Sequence, residues 1–236
     1  MLVVGLGGGA AAGAASRFPE LRVTVVELSE WMVEAAPWFT KINHDVIHQE
    51  QVTIRIDDGR NHLLLTDKRY DVITADAIQP YYAGAGNLYS AEYFALGRRA
   101  LADDGLALQW VGGDFEEQRR LIVRTFLSVY PEATLWMGDL LIGSKRPLVL
   151  SRAALDRTMA EPTTRDLFRE LGIESVDELL ATYTAGPREL TDYAGSGVLL
   201  TDDRPLTEYF LQLGGARGAE TRLNTMRPGT PPPVVP

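Results

Sequence analysis

The chain has 236 residues, 45% of them hydrophobic and none a cysteine, and its formal net charge is −9. That length suffices for one sizeable domain and an appendage. The negative charge argues against a nucleic-acid partner, the lack of thiols excludes disulfides and thiolate metal sites and fits a reducing compartment, and no stretch is apolar and long enough to span a bilayer.

Leu2 to Val4 read as a short buried strand. Gly5, Gly7 and Ala10 then fit the spacing G-x-G-x-x-G/A, and Ala11 to Arg17 read as a helix. Strand, glycine turn and helix open a nucleotide-binding α/β unit, because glycine lets the backbone turn tightly and approach a ligand. The same apolar start also resembles a secretory signal, but no positive charge precedes Leu2 and the run is rich in glycine, so export is disfavoured. Arg22 to Val26 form a second apolar run that ends at Glu27, about 20 residues past the turn, where an acid grips a ribose diol.

Ser29 to Asn43 read as a helix capped by Ser29 and interrupted at Pro37. His44 and His48 stand four apart, but no Glu completes a metal-binding motif, so a surface pair is expected and no metal site. Val52 to Ile56 alternate as a strand does, Asp57-Asp58-Gly59 turns the chain, and Arg60 to Leu65 form a short helix. Tyr70 to Ala75 is a fourth strand, followed by a loop from Asp76 to Leu88. Ser90 caps a helix running to Ala102, Asp103-Asp104-Gly105 turns into a strand from Leu106 to Val111, and a helix covers Glu116 to Val129. Ala133 to Met137 and Arg146 to Leu150 read as two more strands around Gly138 and Gly143. The result is a doubly wound, mainly parallel seven-stranded α/β sheet over residues 1–150. Residues 151–213 read as a helical appendage, with helices over Ala153 to Ala160, Thr164 to Leu171, Ser175 to Thr182 and Arg188 to Ala194. From Gly214 to Pro236 the chain is polar and proline-rich, and this tail is expected to be disordered.

Right-handed crossovers bring the loops after the first four strands to one carboxyl edge. Acids end strands two, three and four there: Glu27 for the ribose, Asp58 for an adenine amine with Gly59 beside it, and Asp76 over the reacting centre. Asp57 is the weaker neighbour of Asp58. Gln79, Tyr81 and Tyr82 supply polar and aromatic surface beyond Asp76. Each acid alone has a bland reading as a helix cap or turn residue, but three consecutive strand ends make coincidence less credible. Carboxylates around the glycine turn suit a cationic sulfonium nucleoside, S-adenosylmethionine or its decarboxylated form, better than a pyrophosphate.

These residues resemble the spermidine synthase-like proteins, or polyamine aminopropyltransferases, over roughly residues 2 to 150. The matching stretches are Val3-Val4-Gly5-Leu6-Gly7-Gly8-Gly9, Val25-Val26-Glu27-Leu28, Asp57-Asp58-Gly59-Arg60, the run from Tyr70 to Pro80, and Asn87 to Phe94. The resemblance implies a class I methyltransferase-like Rossmann fold. It implies that Gly5, Gly7, Gly9, Glu27, Asp58 and Gly59 hold the co-substrate and that Asp76 is the catalytic aspartate. The implied reaction moves an aminopropyl group from decarboxylated S-adenosylmethionine to a small-molecule amine in the cytoplasm, without a metal. Three departures stand out. The family carries an acid where this chain has Gly8 and a second acid where it has Gln79, and its synthases begin with an N-terminal β-domain, whereas this chain starts at its first strand. Thr201-Asp202-Asp203-Arg204-Pro205 resembles a motif of a branch joined to membrane-transporter-like regions. Its bland reading is a helix-capping turn with a local ion pair, and its functional reading is part of a lid. The resemblance extends to a homodimer and to association with such a transporter-like region. The alternatives are an S-adenosylmethionine-dependent methyltransferase, since fold does not fix function, and a non-catalytic nucleoside-binding domain.

Overall fold

The computed structural model describes residues 1–75, 79–209 and 222–235. Strand β1 (Leu2–Val4) lies inside an eight-stranded sheet, third from one edge. Its three residues are buried on both faces of that sheet. Val3 packs with Val23, Val25, Ala12 and Val46 on one face, while Leu2 and Val4 pack with Leu63, Tyr93 and Phe94 on the other. A strand covered by helices on both sides must be apolar throughout, which is why this run shows no alternation.

Around β1 stand β2 (Val23–Glu27), β3 (Val52–Ile56), β4 (Tyr70–Ala75) and β5 (Leu101–Trp110), all parallel, in the order β3-β2-β1-β4-β5. Helices α1 (Ala10–Ser16), α4 (Gly59–Leu65), α5 (Ala91–Ala100) and α6 (Glu116–Val129) cover the two faces, α1 on one and the other three on the opposite one. The expected helix from Ser29 to Asn43 is divided into α2 (Glu30–Ala35), a 3-10 turn (Ala36–Phe39) and α3 (Thr40–Asn43). Pro37 lies inside the 3-10 turn, because its ring and missing N–H cannot continue an α-helix. His44 is left-handed (φ 51°) and ends α3, so it and His48 share no helix face, and His48 Nδ1 lies 2.8 Å from Asp45.

The sheet departs from the expectation in three places. Strand β5 begins at Leu101, and the expected turn at Asp103 to Gly105 is a register shift inside it: Tyr70 faces Leu101 but Val72 faces Leu106. The strand expected over Arg146 to Leu150 lies instead at β7 (Leu140–Ser144), antiparallel to both β5 and β6 (Thr134–Trp136). The turn between β6 and β7 is tight, with Met137 at φ 55° and Gly138 at φ 82°, so the return strand starts at once. Gly143, which reads as a break, sits inside β7 because a Cβ there would lie 2.6 Å from the Tyr130 ring.

The third departure is an eighth strand. β9 (Tyr183–Ala185) adds to the outer edge of β6, with Leu135 opposite Ala185. Three residues are too few to carry a readable period, and they lie between segments with helical spacing. Short strand β8 (Leu150–Ser151) precedes the helices α7 (Arg152–Ala160), α8 (Pro162–Glu170) and α9 (Val176–Ala181), which form a small core of Met159, Ile173 and Val176. α10 (Pro187–Ala194) instead joins the main core through Leu190 and Tyr193.

The expected disordered tail also differs. Residues 214–221 lie outside the described residues, but 222–235 are placed: Leu223 is fully buried, Arg119 donates to Asn224 Oδ1 at 2.7 Å, and β10 (Val234–Val235) pairs with β8.

Candidate functional site at the carboxyl edge

Order reverses between β1 and β4, whose crossovers run to opposite sides, and a crevice opens at such a point in an open α/β sheet. Register aligns the strand ends there. Val4 faces Val26 and Ala75, and Ala75 faces Gln109. The chain leaving β1 is the glycine turn. Gly5, Gly7 and Gly9 have φ of 86°, 51° and 83°, a region that L side chains rarely occupy, so this path needs glycine at each.

Glu27 is 7% exposed and fastens that turn. Its Oε2 accepts from Leu6 N–H at 2.6 Å and its Oε1 from Ser29 N–H at 2.9 Å. A carboxylate has about four lone-pair sites, so two remain for a ligand. Asp58 accepts from Asn61 N–H at 2.8 Å and thereby caps α4. Gly59 is buried, and a Cβ there would lie 2.4 Å from Val4 Cγ1. Its missing side chain is therefore required by packing against β1, a reason the turn reading did not contain. Below Asp58, Tyr93 is buried with no partner for its hydroxyl, and burial, then the charge of Asp58, push its ionisation up.

Asp76 lies outside the described residues. Gln79, three residues on, accepts from Gly113 N–H at 3.2 Å and so ties the loop after β4 to the chain after β5. The Tyr81 and Tyr82 rings meet at 5.1 Å between centres with their planes tilted by 53°, and Tyr82 is exposed. A cleft of about 520 Å³ runs from the first turn of α1 past Thr74, Ala75 and Gln79 to Trp110 and Leu140. Gly8 stands at the turn, where a Cβ would meet Ile42 Cδ1 at 3.3 Å and Phe39 at 4.0 Å. An apolar wall thus flanks the position.

Trp110 and Leu140 were not anticipated as site residues; they arrive from β5 and β7, and only the sheet order brings them to the cleft. The role of the Thr201 to Tyr209 segment was also not readable. Asp202 accepts from Ser90 Oγ at 2.7 Å, and its other oxygen pairs with the Arg60 guanidinium. Leu200 O accepts from Ala91 N–H at 2.9 Å, and Glu208 Oε1 accepts from Gly86 N–H at 2.9 Å. The segment therefore clasps the starts of α4 and α5 and the Ala85–Leu88 turn, and its principal ion pair is not local but joins residues 142 apart. Asp203, by contrast, accepts from Thr201 Oγ1 at 2.6 Å, a contact within its own turn. Asp202→Ala leaves a partly buried guanidinium and the Ser90 hydroxyl without their acceptor, an expected cost of about 2 kcal/mol. Thermal unfolding should then fall by about 4–8 °C in a domain of this size. Asp203→Ala should leave the melting temperature unchanged, and equal shifts for the two would dissolve the clasp.

Among the described residues no helix is long and apolar enough to cross a membrane. A family model described as the spermine/spermidine synthase domain matches residues 1–126. A polyamine aminopropyltransferase of Corynebacterium efficiens is 28% identical over 211 residues, covering 86% of this chain and 37% of that protein. A solved structure of a probable spermidine synthase from Corynebacterium glutamicum superposes with a TM-score of 0.59 at 22% identity, over 86% of this chain and 72% of that one. Human methyltransferase-like protein 13 in complex with SAH gives 0.53 at 16% identity, over 88% of this chain and 87% of that one. At these identities the two structures share the fold with this chain. The chain spans 32–49% of the length of the first curated relatives it matches.

Proposed function

The chain belongs to the spermine/spermidine synthase family, and from that premise we propose that it transfers an aminopropyl group from decarboxylated S-adenosylmethionine to an amine. The observation that carries this is Glu27, buried at the switch point with its carboxylate bonded to the glycine turn and lone pairs left for a ribose diol. In this reading the turn at Gly5, Gly7 and Gly9 cradles the nucleoside, Asp58 and Gly59 border the adenine, and Gln79, Tyr81 and Tyr82 border the acceptor. The amine's lone pair attacks the propyl carbon bonded to sulfur. The C–S bond breaks with its electron pair going to sulfur, methylthioadenosine leaves, and the nitrogen's proton passes to Asp76. In-line positioning of the two reactants lowers the barrier most, and proton removal adds to it.

Catalysis is assigned to residues 1–150, with the segment from Leu200 to Glu208 holding the site's loops in place. The setting carried over from the family resemblance is a cytoplasmic homodimer associated with a membrane-transporter-like region. Size-exclusion chromatography with light scattering tests the dimer.

A second reading, methyl transfer from S-adenosylmethionine, is favoured by one observation: Gly8 is flanked by Ile42 and Phe39, so no acid stands there to hold the donor's amine. Incubation with each sulfonium donor and a panel of amines, with products identified by mass spectrometry, separates the two. An acceptor heavier by an aminopropyl unit, together with methylthioadenosine, is the expected result. S-adenosylhomocysteine would replace this reading with the second.

A further inference from the structure

The loop that carries Tyr81 and Tyr82 is pinned at two places. At its start, Gln79 Oε1 accepts from Gly113 N–H at 3.2 Å. The chain beside Gly113 is held in turn by Gln118, which is fully buried. Its Oε1 accepts from Asp114 N–H at 3.1 Å and from Phe115 N–H at 3.3 Å, and its amide donates to Thr207 O at 3.4 Å. At the far end of the loop, Gly86 N–H donates to Glu208 Oε1 at 2.9 Å. A Cβ on Gly86 would lie 2.6 Å from Pro205 Cβ and 2.8 Å from that same Oε1, so only glycine lets the two segments touch. Between the pins the loop folds on itself, with Tyr82 N–H donating to Gln79 O at 3.1 Å and Ala85 N–H to Tyr82 O at 3.0 Å.

Both pins lead to one 3-10 turn, Leu206–Tyr209, through its neighbours Thr207 and Glu208. The start of the loop is tied to it by way of Gln118, and the end directly, across 122 residues. The direct bond is the stronger of the two, because a carboxylate accepts it and it is the shorter. A loop held at one end only must be ordered when a ligand binds, and that ordering costs affinity. Holding the second end removes much of the cost beforehand. The nucleoside side depends on other contacts: Glu27 is held by Leu6 and Ser29, and Asp58 by Asn61. We propose that Glu208 is a positioning residue for the acceptor amine, which by holding Gly86 sets the Tyr81–Tyr82 stretch and governs amine affinity but not nucleoside affinity. The assignment of the loop to the amine rests on the aminopropyltransferase reading, whereas the anchoring of the loop does not.

Three variants of the full chain test this: Glu208→Ala, Glu208→Gln and Gly86→Ala. Amide hydrogen exchange is followed without ligand, and methylthioadenosine and then 1,4-diaminobutane are titrated calorimetrically. In Glu208→Ala the amides of Tyr82, Ala85 and Gly86 should exchange at least about tenfold faster, with those of β1 to β5 unchanged. Diamine binding should weaken by about fivefold or more, while methylthioadenosine affinity stays within about twofold. Glu208→Gln keeps the accepting oxygen and should restore most of both losses. Gly86→Ala breaks the same contact from the loop side, so it should reproduce them and add little in combination with Glu208→Ala. It also carries the test alone if Glu208→Ala does not fold. Unchanged loop exchange, an equal loss of methylthioadenosine affinity, or diamine binding that is absent or indifferent to these changes overturns the inference. The expected pattern in a chain that transfers no aminopropyl group leaves the inference standing and removes the transfer reading.

Discussion

Under the proposed aminopropyl transfer, Asp76→Asn is expected to lower kcat by about 10²–10⁴-fold, the usual contribution of a positioned base. Methylthioadenosine affinity should stay within about threefold, because the interaction lost is one made in the transition state. Ala75 is 4% exposed and pairs with Val4 on one side and Gln109 on the other, so the chain leaves β4 at the point where the sheet order reverses. The following residue is the acid of the strand-four stretch. The attacking amine arrives protonated at neutral pH and must lose that proton, whereas asparagine is isosteric and cannot accept it. Steady-state kinetics and calorimetry on the same variant check both halves. A parallel loss of nucleoside affinity would make Asp76 a nucleoside ligand, and an unchanged kcat would remove it from the proton transfer.

Gly13→Ala destabilises the protein, although it lies inside a helix where alanine is normally preferred. Helix propensity alone gains about 1 kcal/mol from this change. Against it stands the backbone of α3. A Cβ on Gly13 would lie 2.3 Å from Asn43 O, 2.5 Å from its carbonyl carbon and 2.6 Å from its Cα. A main chain cannot rotate away as a flexible side chain does. Asn43 is also pinned: its side-chain amide donates to Ala36 O at 2.8 Å and its Oδ1 accepts from Asp45 N–H at 3.0 Å. Overpacking of this kind costs about 3 kcal/mol, so the net loss is about 2 kcal/mol. Denaturant unfolding should show that loss as a lower midpoint at unchanged slope. The displacement of α3 also reaches the site, because Ile42 and Phe39 beside Gly8 ride on it and on the preceding turn. Ala14→Gly one position along provides the control. Facing the partly open side, it should lose only the propensity difference of about 1 kcal/mol.

Much of the fold was legible because its signals are local. Short runs rich in β-branched residues, closed by Gly5, Glu27, Asp57 and Asp76, mark β1 to β4 within a residue of their bounds. Ser90 caps α5 as expected, accepting from Tyr93 N–H at 3.1 Å. Where a residue served two purposes, the sequence showed one. Gly143 and Gly105 look like chain breaks, yet both sit inside strands, where their missing side chains make room for the Tyr130 ring and for the carbonyls of Tyr70 and Asp71. Asp58, expected as a ligand contact with a helix cap as its bland reading, caps α4.

The sequence by itself determined the alternation of strands and helices, the glycine turn after β1 and the acid that ends β2. Each follows from the preferences of a few adjacent residues: conformational freedom of glycine, burial of branched side chains, capping by short polar ones. The tertiary structure alone decided that Glu27 fastens the turn through Leu6, that Gly13 brings α1 against Asn43, that Asp202 reaches Arg60 across 142 residues, and that Trp110 and Leu140 wall the cleft. These are contacts between segments far apart in the chain. They exist only once the sheet order has been chosen and its two faces packed, and burial, which selects that order, acts on the whole chain rather than on any stretch of it.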